Sequence, residues 1–442
     1  MDIIANPFLV SVVVMIVMCL LKVNVFLAVL VSALLAGVLG GLTPLETLTS
    51  VVEGMSANGS VIFGLLLLGI LVAGIIASGL GNVVMHRLAK LIGGKVWLIL
   101  VSLFLIAIIT EIIILIYVAF VPMIAPFMIK IFNKHKIDRR LLVCVIMAGL
   151  QVGYVCIPLG FGLVMHGIMQ TNMALHGLDV PIMSIWPNTV PIAISMVLSC
   201  FIAYFVYRKP REYEDVEIEI AGGVTFDAST SEAPKFERRH IGIILALLTA
   251  VVVQSITRNM ALGALLAVIV MVAAQGVKWK DFDNISKGGL DLMKYVCFIL
   301  LAAGGFAEVI SEVGRVDVLV DAFVLVIGGN MFLGAFISLL IGLAISMGIG
   351  SAWGSIPIFA PFLVPLGLQL GMSPAAVIML VAASATLGDA GAPASDQVLV
   401  TSAAMNMDGN QHDHIRDGCI PSFMVINIPI LIICTIAVYI MS

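Results

Sequence analysis

Apolar runs of membrane-spanning length recur along the whole chain, and short polar or charged stretches separate them. A helix needs about 20 mainly apolar residues to cross a bilayer. The sequence lacks the continuous alternation of apolar and polar positions that would predict a barrel. The pattern therefore predicts an all-α polytopic membrane protein. The predicted apolar segments are 8–21, 24–41, 61–78, 96–130, 141–170, 187–207, 240–257, 259–276, 291–312, 331–365, 374–404 and 420–441.

Three of these segments are too long for one ordinary crossing. Segment 96–130 would form roughly 52 Å of helix at about 1.5 Å per residue, whereas the hydrocarbon core is about 30 Å thick. Segments 331–365 and 374–404 pose the same problem and carry Gly, Pro and Ser in mid-run. We expect 96–130 and 331–365 to be re-entrant helical hairpins, with paired full crossings as the alternative. We expect a broken helix within 374–404.

Glycine and proline positions repeat at a constant offset of 235 residues. Between residues 41 and 165, 10 of the 18 Gly and Pro positions carry the same residue 235 positions later. With 41 Gly and 17 Pro in 442 residues, about one or two coincidences are expected at random. We therefore predict two repeats, 1–207 and 240–442. The stretch between them, 208–239, holds 14 of the 48 charged residues and is predicted to be a linker.

Equivalent loops of the two repeats differ in charge. Loop 130–140 has five basic residues, whereas its counterpart 365–375 has no charged residue. Segment 43–60 has two acidic residues and no basic ones, whereas 278–295 has four lysines. Because cytoplasmic loops are enriched in Lys and Arg, the members of each pair fall on opposite sides of the membrane. We predict inverted-topology repeats, each with about five transmembrane spans, a re-entrant hairpin and a broken helix, and a cytoplasmic linker.

The amino-acid composition excludes most classes of protein other than membrane proteins. Apolar residues make up 61% of the chain and charged residues 11%, against about 45–50% and about 25% in soluble domains. The surface must therefore face a lipid bilayer, which excludes a soluble enzyme, a disordered protein and a secreted disulfide scaffold. The net charge of −4 implies no nucleic-acid partner. Walker, HExxH, GxSxG and CxxC motifs are absent from the sequence, so we expect no enzymatic activity and no cofactor.

The sharpest interruption of an apolar run lies at residues 387–397. Two glycines and Pro393 break the run, and it contains two acidic residues, Asp389 and Asp396. Acidic residues inside a membrane are costly unless they are functional, and broken helices in inverted repeats are typical of secondary transporters. We expect Gly388, Asp389 and Asp396 to couple an ion, with Na+ at Asp389 as one candidate. Ser395 and Asp396 are candidates for substrate binding; a polar loop outside the membrane is the alternative.

The equivalent break in the first repeat contains no acidic residue. Gln151, Gly153 and Tyr154 are its candidates for lining a substrate site, with ordinary helix packing as the alternative. Thr110 and Glu111 lie at the middle of 96–130, where we expect the tip of the first hairpin. Thr110 is a candidate for substrate binding. Glu111 is a candidate proton carrier or cation ligand, with a salt bridge within the bundle as the alternative.

The predicted tip of the second hairpin, 346–355, is rich in small residues and hydroxyl groups. Such residues permit a tight turn and the close approach of a ligand. Ser346, Gly350, Ser351 and Trp353 are therefore candidates for substrate binding. Close packing of helices through small residues is the alternative.

The run 388–396, followed by 406–415, resembles the signature of the YuiF-type branch of the NhaC-like permeases. That branch belongs to the ion transporter superfamily and is often labelled a Na+/H+ antiporter family. This sequence departs from the pattern at Ala392, where Ser is commoner, and after Asp396. The resemblance implies a bacterial inner-membrane permease for amino acids, histidine among them. It also implies a scaffold domain, a transport domain with two hairpins, elevator motion and a homodimer.

The sequence therefore predicts a secondary active transporter that moves a small amino acid coupled to Na+ or H+. The alternative is a Na+/H+ antiporter without an organic substrate. A passive channel is a third class, but two inverted broken helices fit alternating access better than they fit a continuous pore.

A zwitterionic substrate needs partners for both of its charges. Half-helix N-termini near Ser351 and Ser395 could receive the carboxylate. Asp396, or Asp389, could receive the ammonium group. The side chain of histidine could pack near Gln151, Tyr154 or Trp353.

Overall fold

The computed structural model of the chain is helical almost throughout. It describes residues 6–21, 23–56, 59–80, 83, 96–114, 121, 129, 132–214, 219–220, 224–225, 236–257, 259–313, 316–408 and 411–442. Five helical stretches in this part of the chain are long and apolar enough to cross a membrane: 139–156, 182–207, 331–349, 352–369 and 414–441. Shorter apolar helices accompany them. The helical structure and the several membrane-spanning helices confirm the prediction of an all-α polytopic membrane protein.

The helices are numbered here in chain order. They are α1 (Pro7–Leu20), α2 (Val25–Gly40), α3 (Pro44–Met55), α4 (Gly59–Ser78), α5 (Val96–Ile109), α6 (Arg139–Gln151), α7 (Phe161–Leu175), α8 (Ile185–Asn188), α9 (Val190–Tyr207), α10 (Arg238–Thr257), α11 (Met260–Ala273), α12 (Phe282–Val313), α13 (Val316–Ile327), α14 (Met331–Ile349), α15 (Ala352–Gln369), α16 (Pro374–Asp389), α17 (Asp396–Met405), α18 (Ile420–Ser422) and α19 (Ile428–Met441). The π-helical turns are Thr110–Ile114, Val152–Cys156, His414–Cys419 and Phe423–Asn427, and the 3₁₀ turns are Ile182–Ser184 and Trp279–Asp281. Two short antiparallel strands, Glu219–Ile220 and Val224–Thr225, lie in the linker.

Helix starts recur at the offset seen in the glycine and proline pattern. Helices α2 and α11, α5 and α14, α6 and α16, and α7 and α17 each begin 235 residues apart. Their caps correspond as well: Asn24 accepts a hydrogen bond from the N–H of Leu27, and Asn259 accepts one from Leu262. An Asn at the N-cap satisfies an N–H group that has no partner within the helix. The same local signal thus starts the same helix in both halves.

Two groups of helices pack against each other. In the first, α12 packs against α2, α3 and α4, and α10 and α11 form a pair beside α4. In the second, α14, α15 and α19 surround α16, while α5 and α9 pack on α6. The groups meet where α15 contacts α12 and α14 contacts α1. Helices α6 and α16 are buried along most of their length, so the second group is built around them.

Two close contacts in the first group are related to each other by the 235-residue offset. A Cβ atom added to Gly54 of α3 would lie 2.4 Å from the carbonyl oxygen of Gly304 of α12. One added to Gly69 of α4 would lie 2.4 Å from the carbonyl oxygen of Gly289 of α12. Since 54 corresponds to 289 and 69 to 304, the two contacts have the reciprocal form found across a two-fold axis. Only glycine permits backbones to approach this closely.

The structure corrects two of the predicted segments. Segment 43–60 contains the capped helix α3, and α12 begins at Phe282 rather than near 291. Because α3 and the first part of α12 contain charged residues, their sequences do not form continuous apolar runs. Each is nevertheless held in place by glycine contacts with its neighbours. Segment 141–170 is divided into α6 and α7 by a break after Cys156, which agrees with the helix break predicted around Gln151, Gly153 and Tyr154.

The two predicted hairpins are described to different extents. Helices α14 and α15 form the second hairpin, which turns at Gly350 with a φ of 70°. In segment 96–130, helix continues through Ile114, so Thr110 and Glu111 lie within a helix and not at a turn. That stretch has no Gly or Pro to end a helix. The predicted turn and second arm of 96–130 lie outside the described residues, apart from isolated positions.

Candidate functional site

Two broken helices form the centre of the candidate site. Helix α6 widens into the π-helical turn Val152–Cys156, and the chain then leaves helical geometry until α7 begins at Phe161. Pro158 offers no N–H group to continue the helix. Gly160 has a φ of 59°, which glycine adopts at little cost. In the second repeat α16 ends at Asp389, and α17 begins at Asp396 after a short non-helical stretch.

The two breaks are joined by buried hydrogen bonds. The hydroxyl oxygen of Tyr154 lies 2.7 Å from Oδ2 of Asp389 and 2.8 Å from Oε1 of Gln151. Ser395 donates a hydrogen bond of 3.0 Å to the other carboxylate oxygen of Asp389. Gln151 contacts Gln397 at 3.1 Å. The structure thus brings together four residues selected from the sequence and adds Gln397, which the sequence analysis did not select.

The Tyr154 hydroxyl has one hydrogen and faces two side-chain acceptors. When Asp389 is charged it can only accept hydrogen bonds, so the Tyr154 hydroxyl donates to it. Gln151 presents Oε1 to the phenol oxygen and donates from Nε2 to Gln397. When a proton or cation neutralises Asp389, the hydroxyl donates to Gln151 instead. Through Gln151 the hydrogen bonds reach Gln397 of α17. Hydrogen bonds thus connect Asp389 at the end of α16 with the end of α6 and the start of α17.

Glycines bring the π-helical turn after α5 and helix α14 against the breaks. A Cβ atom at Gly153 would lie 2.6 Å from Cβ of Glu111, and one at Gly388 would overlap Cβ of Ser346. The two contacts are equivalent at the 235-residue offset. Glu111 is only 1% exposed, and its neighbour Thr110 is also buried and donates to Ala107 in its own helix. Thr110, Glu111, Gly153, Ser346 and Gly388 therefore lie at or beside the breaks.

The tip of the second hairpin touches the second break. Gly350 lies directly against the backbone of Ala394. From the next turn of α15, the ring of Trp353 stacks near Tyr154 at 6.2 Å between centroids. The hydroxyl group of Ser351 makes no capping hydrogen bond to α15. The side chain of Asp396 lies outside the described residues.

Two buried polar side chains stabilise the broken backbone and were missed by the sequence analysis. His166 of α7 contacts the carbonyl oxygen of Val155 at 2.8 Å, and Asn427 donates to that of Leu387 at 2.7 Å. Carbonyl groups released by a helix break inside a membrane need such partners. A lone His or Asn in an apolar run indicates a buried polar contact, but its sequence position does not say with which residue.

The side chains where the two breaks meet suit a hard cation better than a transition metal. Asp389, Ser395 and Tyr154 present only oxygen atoms, which are the ligands of hard cations. The part of the chain that the structure describes contains no group of three or more His, Cys, Asp and Glu residues able to hold a metal ion. Asp389 is the only acidic side chain among Asp389, Ser395 and Tyr154 and is therefore the position in this arrangement to which a small cation or a proton would be drawn.

Two family models match the chain. The model of the Na+/H+ antiporter family matches residues 145–437, which include both helix breaks. A second model, described as the Na+-H+ antiporter family, matches residues 6–92.

Relatives of nearly the same length occur in other bacteria. The chain is 36% identical over 444 residues to the protein of Bacillus subtilis (strain 168) named "Putative amino acid transporter YuiF", covering 97% of this chain and 98% of that one. It is 34% identical over 440 residues to the uncharacterized membrane protein VP2115 of Vibrio parahaemolyticus, with the same coverage of each chain. An uncharacterized membrane protein of Haemophilus influenzae is 33% identical over 443 residues, again with 97% and 98% coverage.

Two solved structures share the fold. Neisseria gonorrhoeae MtrF, described in connection with a class of antimetabolite efflux pumps, aligns with a TM-score of 0.60 and 17% identity, over 90% of this chain and 85% of MtrF. The Alcanivorax borkumensis YdaH transporter, described as having an unusual topology, aligns with a TM-score of 0.62 and 14% identity, over 89% of this chain and 87% of YdaH. At these identities the likeness concerns the fold alone.

Proposed function

Because this chain belongs to the Na+/H+ antiporter family and is a multi-pass bacterial membrane transporter, we propose that it is a secondary active transporter of a small amino acid. Histidine is the first candidate substrate, and transport is coupled to Na+ or H+. The family resemblance of residues 388–415 is confirmed by these matches. The observation that carries the proposal is the hydrogen bond between Tyr154 and Asp389, which joins the two broken helices where they break.

Asp389 is the ion-coupling group in this proposal. Its carboxylate is buried and accepts hydrogen bonds from Tyr154 and Ser395. Either Na+ or a proton neutralises the carboxylate, and in both cases the hydroxyl of Tyr154 turns from Asp389 to Gln151. Ion binding in one repeat thereby changes the hydrogen bonding of the other. Glu111, packed against the first break, is the second candidate for carrying a proton or cation.

The substrate class follows from the need to satisfy two charges. The N-terminus of α17, capped by Ser395, offers N–H groups and a helix dipole to a carboxylate. Asp389 or Asp396 provides the negative charge for an ammonium group. Trp353 beside Tyr154 provides an aromatic surface for an imidazole ring. The name of the Bacillus subtilis relative, which refers to an amino acid transporter, supports the same class.

The transport mechanism that we propose is an elevator-type movement of the second helix group against the first. The repeats are 1–207 and 240–442, inverted in the membrane and joined by the cytoplasmic linker 208–239. The recurrence of helix starts and the reciprocal glycine contacts of α3 and α4 with α12 support two equivalent units. The hairpin of α14 and α15, whose tip meets a helix break, supports a re-entrant arrangement. A homodimer, as in the family, completes the proposal.

Reconstitution into proteoliposomes tests this function. We expect radiolabelled histidine, or a related amino acid, to accumulate under an inward Na+ or proton gradient and not without one. Asp389→Asn should abolish accumulation and the ion-dependent rise in thermal stability while the protein remains folded. Asp291→Asn is the matched control, because the Asp291 side chain is 71% exposed and pairs only with Lys294 among the ion pairs of the described residues. It should leave both measurements unchanged.

Two results would contradict parts of the proposal. If Asp389→Asn transports normally with unchanged ion dependence, this carboxylate is not the coupling site. If no amino acid accumulates under either gradient, but an imposed Na+ gradient drives proton movement, the chain is a Na+/H+ antiporter without an organic substrate. That alternative would need the acidic residues but would leave the Ser- and Gly-rich hairpin tip without a role.

A further inference from the structure

A large cleft lies in the first helix group, away from the broken helices. It has a volume of about 1680 Å³ and opens between the end of α4, the start of α10, the end of α11 and the start of α12. This exceeds the roughly 300–1,000 Å³ of pockets that hold drug-sized ligands. The proposed transport mechanism uses none of the residues that line it. The cleft therefore needs a separate explanation.

Basic side chains dominate the charge of the cleft. Among the described residues that line it, the charged ones are four basic residues, Arg238, Arg239, Lys278 and Lys280, and one acidic residue, Asp281. Arg239 is partly neutralised by Glu237, to which it forms an ion pair of 2.7 Å. The remaining excess of positive charge selects an anionic ligand. These residues come from segments that the charge pattern assigns to the cytoplasmic side of the membrane.

Contacts between helices fix the walls of the cleft. His240 in the first turn of α10 contacts the carbonyl oxygen of Ser78 at the end of α4 at 2.9 Å. Its other ring nitrogen accepts a hydrogen bond of 2.9 Å from the N–H of Glu237. Close by, a Cβ atom at Gly242 would lie 2.6 Å from the carbonyl oxygen of Ala274. The basic residues therefore stand on a backbone that is held in place.

The surroundings of the cleft favour a lipid over a soluble anion. Trp279 lies between the two lysines, is 75% exposed and stacks on Phe282. Exposed Trp residues next to Lys are typical of the headgroup level of a membrane. Ile76 also lines the cleft and is 49% exposed, and Ile241 on α10 is equally exposed. The positively charged mouth is thus continuous with apolar surface able to contact acyl chains.

We propose that this cleft binds an anionic phospholipid, with the phosphate held by Arg238, Lys278 and Lys280 and the acyl chains against the exposed apolar side chains of α4 and α10. Basic pockets between membrane helices on the cytoplasmic side suit such headgroups. The lipid would join α10 and the loop before α12 to α4, all within the first helix group. The inference does not depend on which substrate the transporter carries.

Thermal unfolding of the purified protein with defined lipids tests the site. Phosphatidylglycerol should raise the unfolding midpoint of the native protein, whereas phosphatidylcholine, inorganic phosphate and glycerol 3-phosphate should not. The triple variant Arg238→Gln, Lys278→Gln, Lys280→Gln should lower the apparent affinity for phosphatidylglycerol by about ten-fold or more. The matched control, Lys134→Gln, Lys209→Gln, Lys294→Gln, removes three exposed charges outside the cleft and should retain native affinity.

Either of two results in this experiment would overturn the proposal. An equal shift with inorganic phosphate or glycerol 3-phosphate would assign the cleft to a soluble anion. An equal loss of apparent affinity for phosphatidylglycerol in the control variant would show that the effect depends on the overall charge of the protein and not on this cleft.

A second measurement needs no change to the basic residues. The fluorescence of Trp279, taken as the difference between the native protein and Trp279→Phe, should be quenched more by brominated phosphatidylglycerol than by brominated phosphatidylcholine at the same mole fraction. Equal quenching by the two lipids would contradict the proposal, even if the triple variant failed to fold.

Discussion

Tyr154 donates a 2.7 Å hydrogen bond to Asp389, and the two residues are separated by 235 positions, the offset that relates the two halves of the chain. Each residue is therefore the equivalent of the other. Equivalent residues of two related units come into contact only near the axis that relates the units. The bond between Tyr154 and Asp389 thus lies where the two broken helices meet, with a phenol in one half and a carboxylate in the other.

Glycine contacts at the breaks should be essential for stability. Gly388→Ala would push a methyl group into Ser346, and Gly153→Ala would push one into Glu111. Each should cost about 1–3 kcal/mol, because added volume in a packed interior forces neighbours apart. We expect a lower midpoint of thermal unfolding in detergent for both variants. Gly167→Ala is the control: this helical position has open space around it, so the change should be neutral or slightly stabilising.

A buried ion pair joins the start of α6 to the end of α17. Arg139 at the start of α6 donates to Asp408 at 2.7 Å and to the carbonyl oxygen of Met405 at 2.6 Å, at the end of α17. Both charged side chains are fully buried. Asp408→Asn should therefore destabilise the protein by about 3–5 kcal/mol, because it leaves a buried guanidinium without its counter-charge.

The exposed ion pair of Lys136 and Glu212 is the control for this prediction. Its side chains are 56% and 80% exposed, and exposed pairs contribute little to stability. Lys136→Gln should change the unfolding midpoint only slightly. Equal effects of Lys136→Gln and Asp408→Asn in the same thermal unfolding assay would show that the Arg139 pair is not structurally important.

Acidification should destabilise the protein through His412, in the loop after α17. Burial lowers the pKa of His412 from 6.5 to about 4, and the charges of Arg139 and Arg211 act in the same direction, against Asp417. The unfolded chain therefore binds a proton between pH 6.5 and 4 that the folded protein excludes. Stability is complete above pH 6.5 and falls by up to about 3 kcal/mol as the pH approaches 4. Thermal unfolding at several pH values measures this decline.

Replacement of His412 distinguishes its contribution from that of other groups. His412→Gln should reduce the loss of stability between pH 6.5 and 4, because the titrating ring is gone. His135→Gln removes an exposed histidine from another loop and should leave the decline as in the native protein. If both variants show the native decline, the effect does not come from His412.

The inverted topology can be tested by cysteine labelling. In a background without the seven native cysteines, Gln369→Cys should react with an impermeant reagent from outside the cell, and Lys134→Cys should not. Both positions are exposed and helical, so access to the reagent depends on the side of the membrane. Labelling of Lys134→Cys alone from outside would contradict the inverted arrangement.

Glycine and proline allowed the sequence to predict much of the fold. These residues mark places where the backbone turns or approaches a neighbour closely. The 235-residue spacing of Gly and Pro therefore predicted that helices would start at equivalent positions in the two halves. Charged helices were harder to find. Helix α3 and the first part of α12 are not apolar enough to be recognised as spans, although they pack tightly in the first helix group.

The composition of the candidate site could be predicted better than its contacts. Asp389, Tyr154 and Gln151 stood out as polar residues at helix breaks. Their mutual hydrogen bonds depend on which helix faces meet, and nearly uniform apolar helices carry no periodicity that reveals those faces. The pair of Arg139 and Asp408 was missed for another reason: counting basic residues in loops predicts sidedness but ignores partners.

Comparison of substrate exchange with ion-driven accumulation measures the proposed role of Tyr154 in coupling most directly. In proteoliposomes, Tyr154→Phe should lower ion-driven accumulation of the substrate by about ten-fold or more, because a hydrogen bond to a charged group contributes about 1.5–3 kcal/mol. It should still exchange internal for external substrate without a gradient. Tyr439→Phe, a half-exposed tyrosine near the end of α19, should retain both activities. Native levels of ion-driven accumulation in Tyr154→Phe would contradict the account.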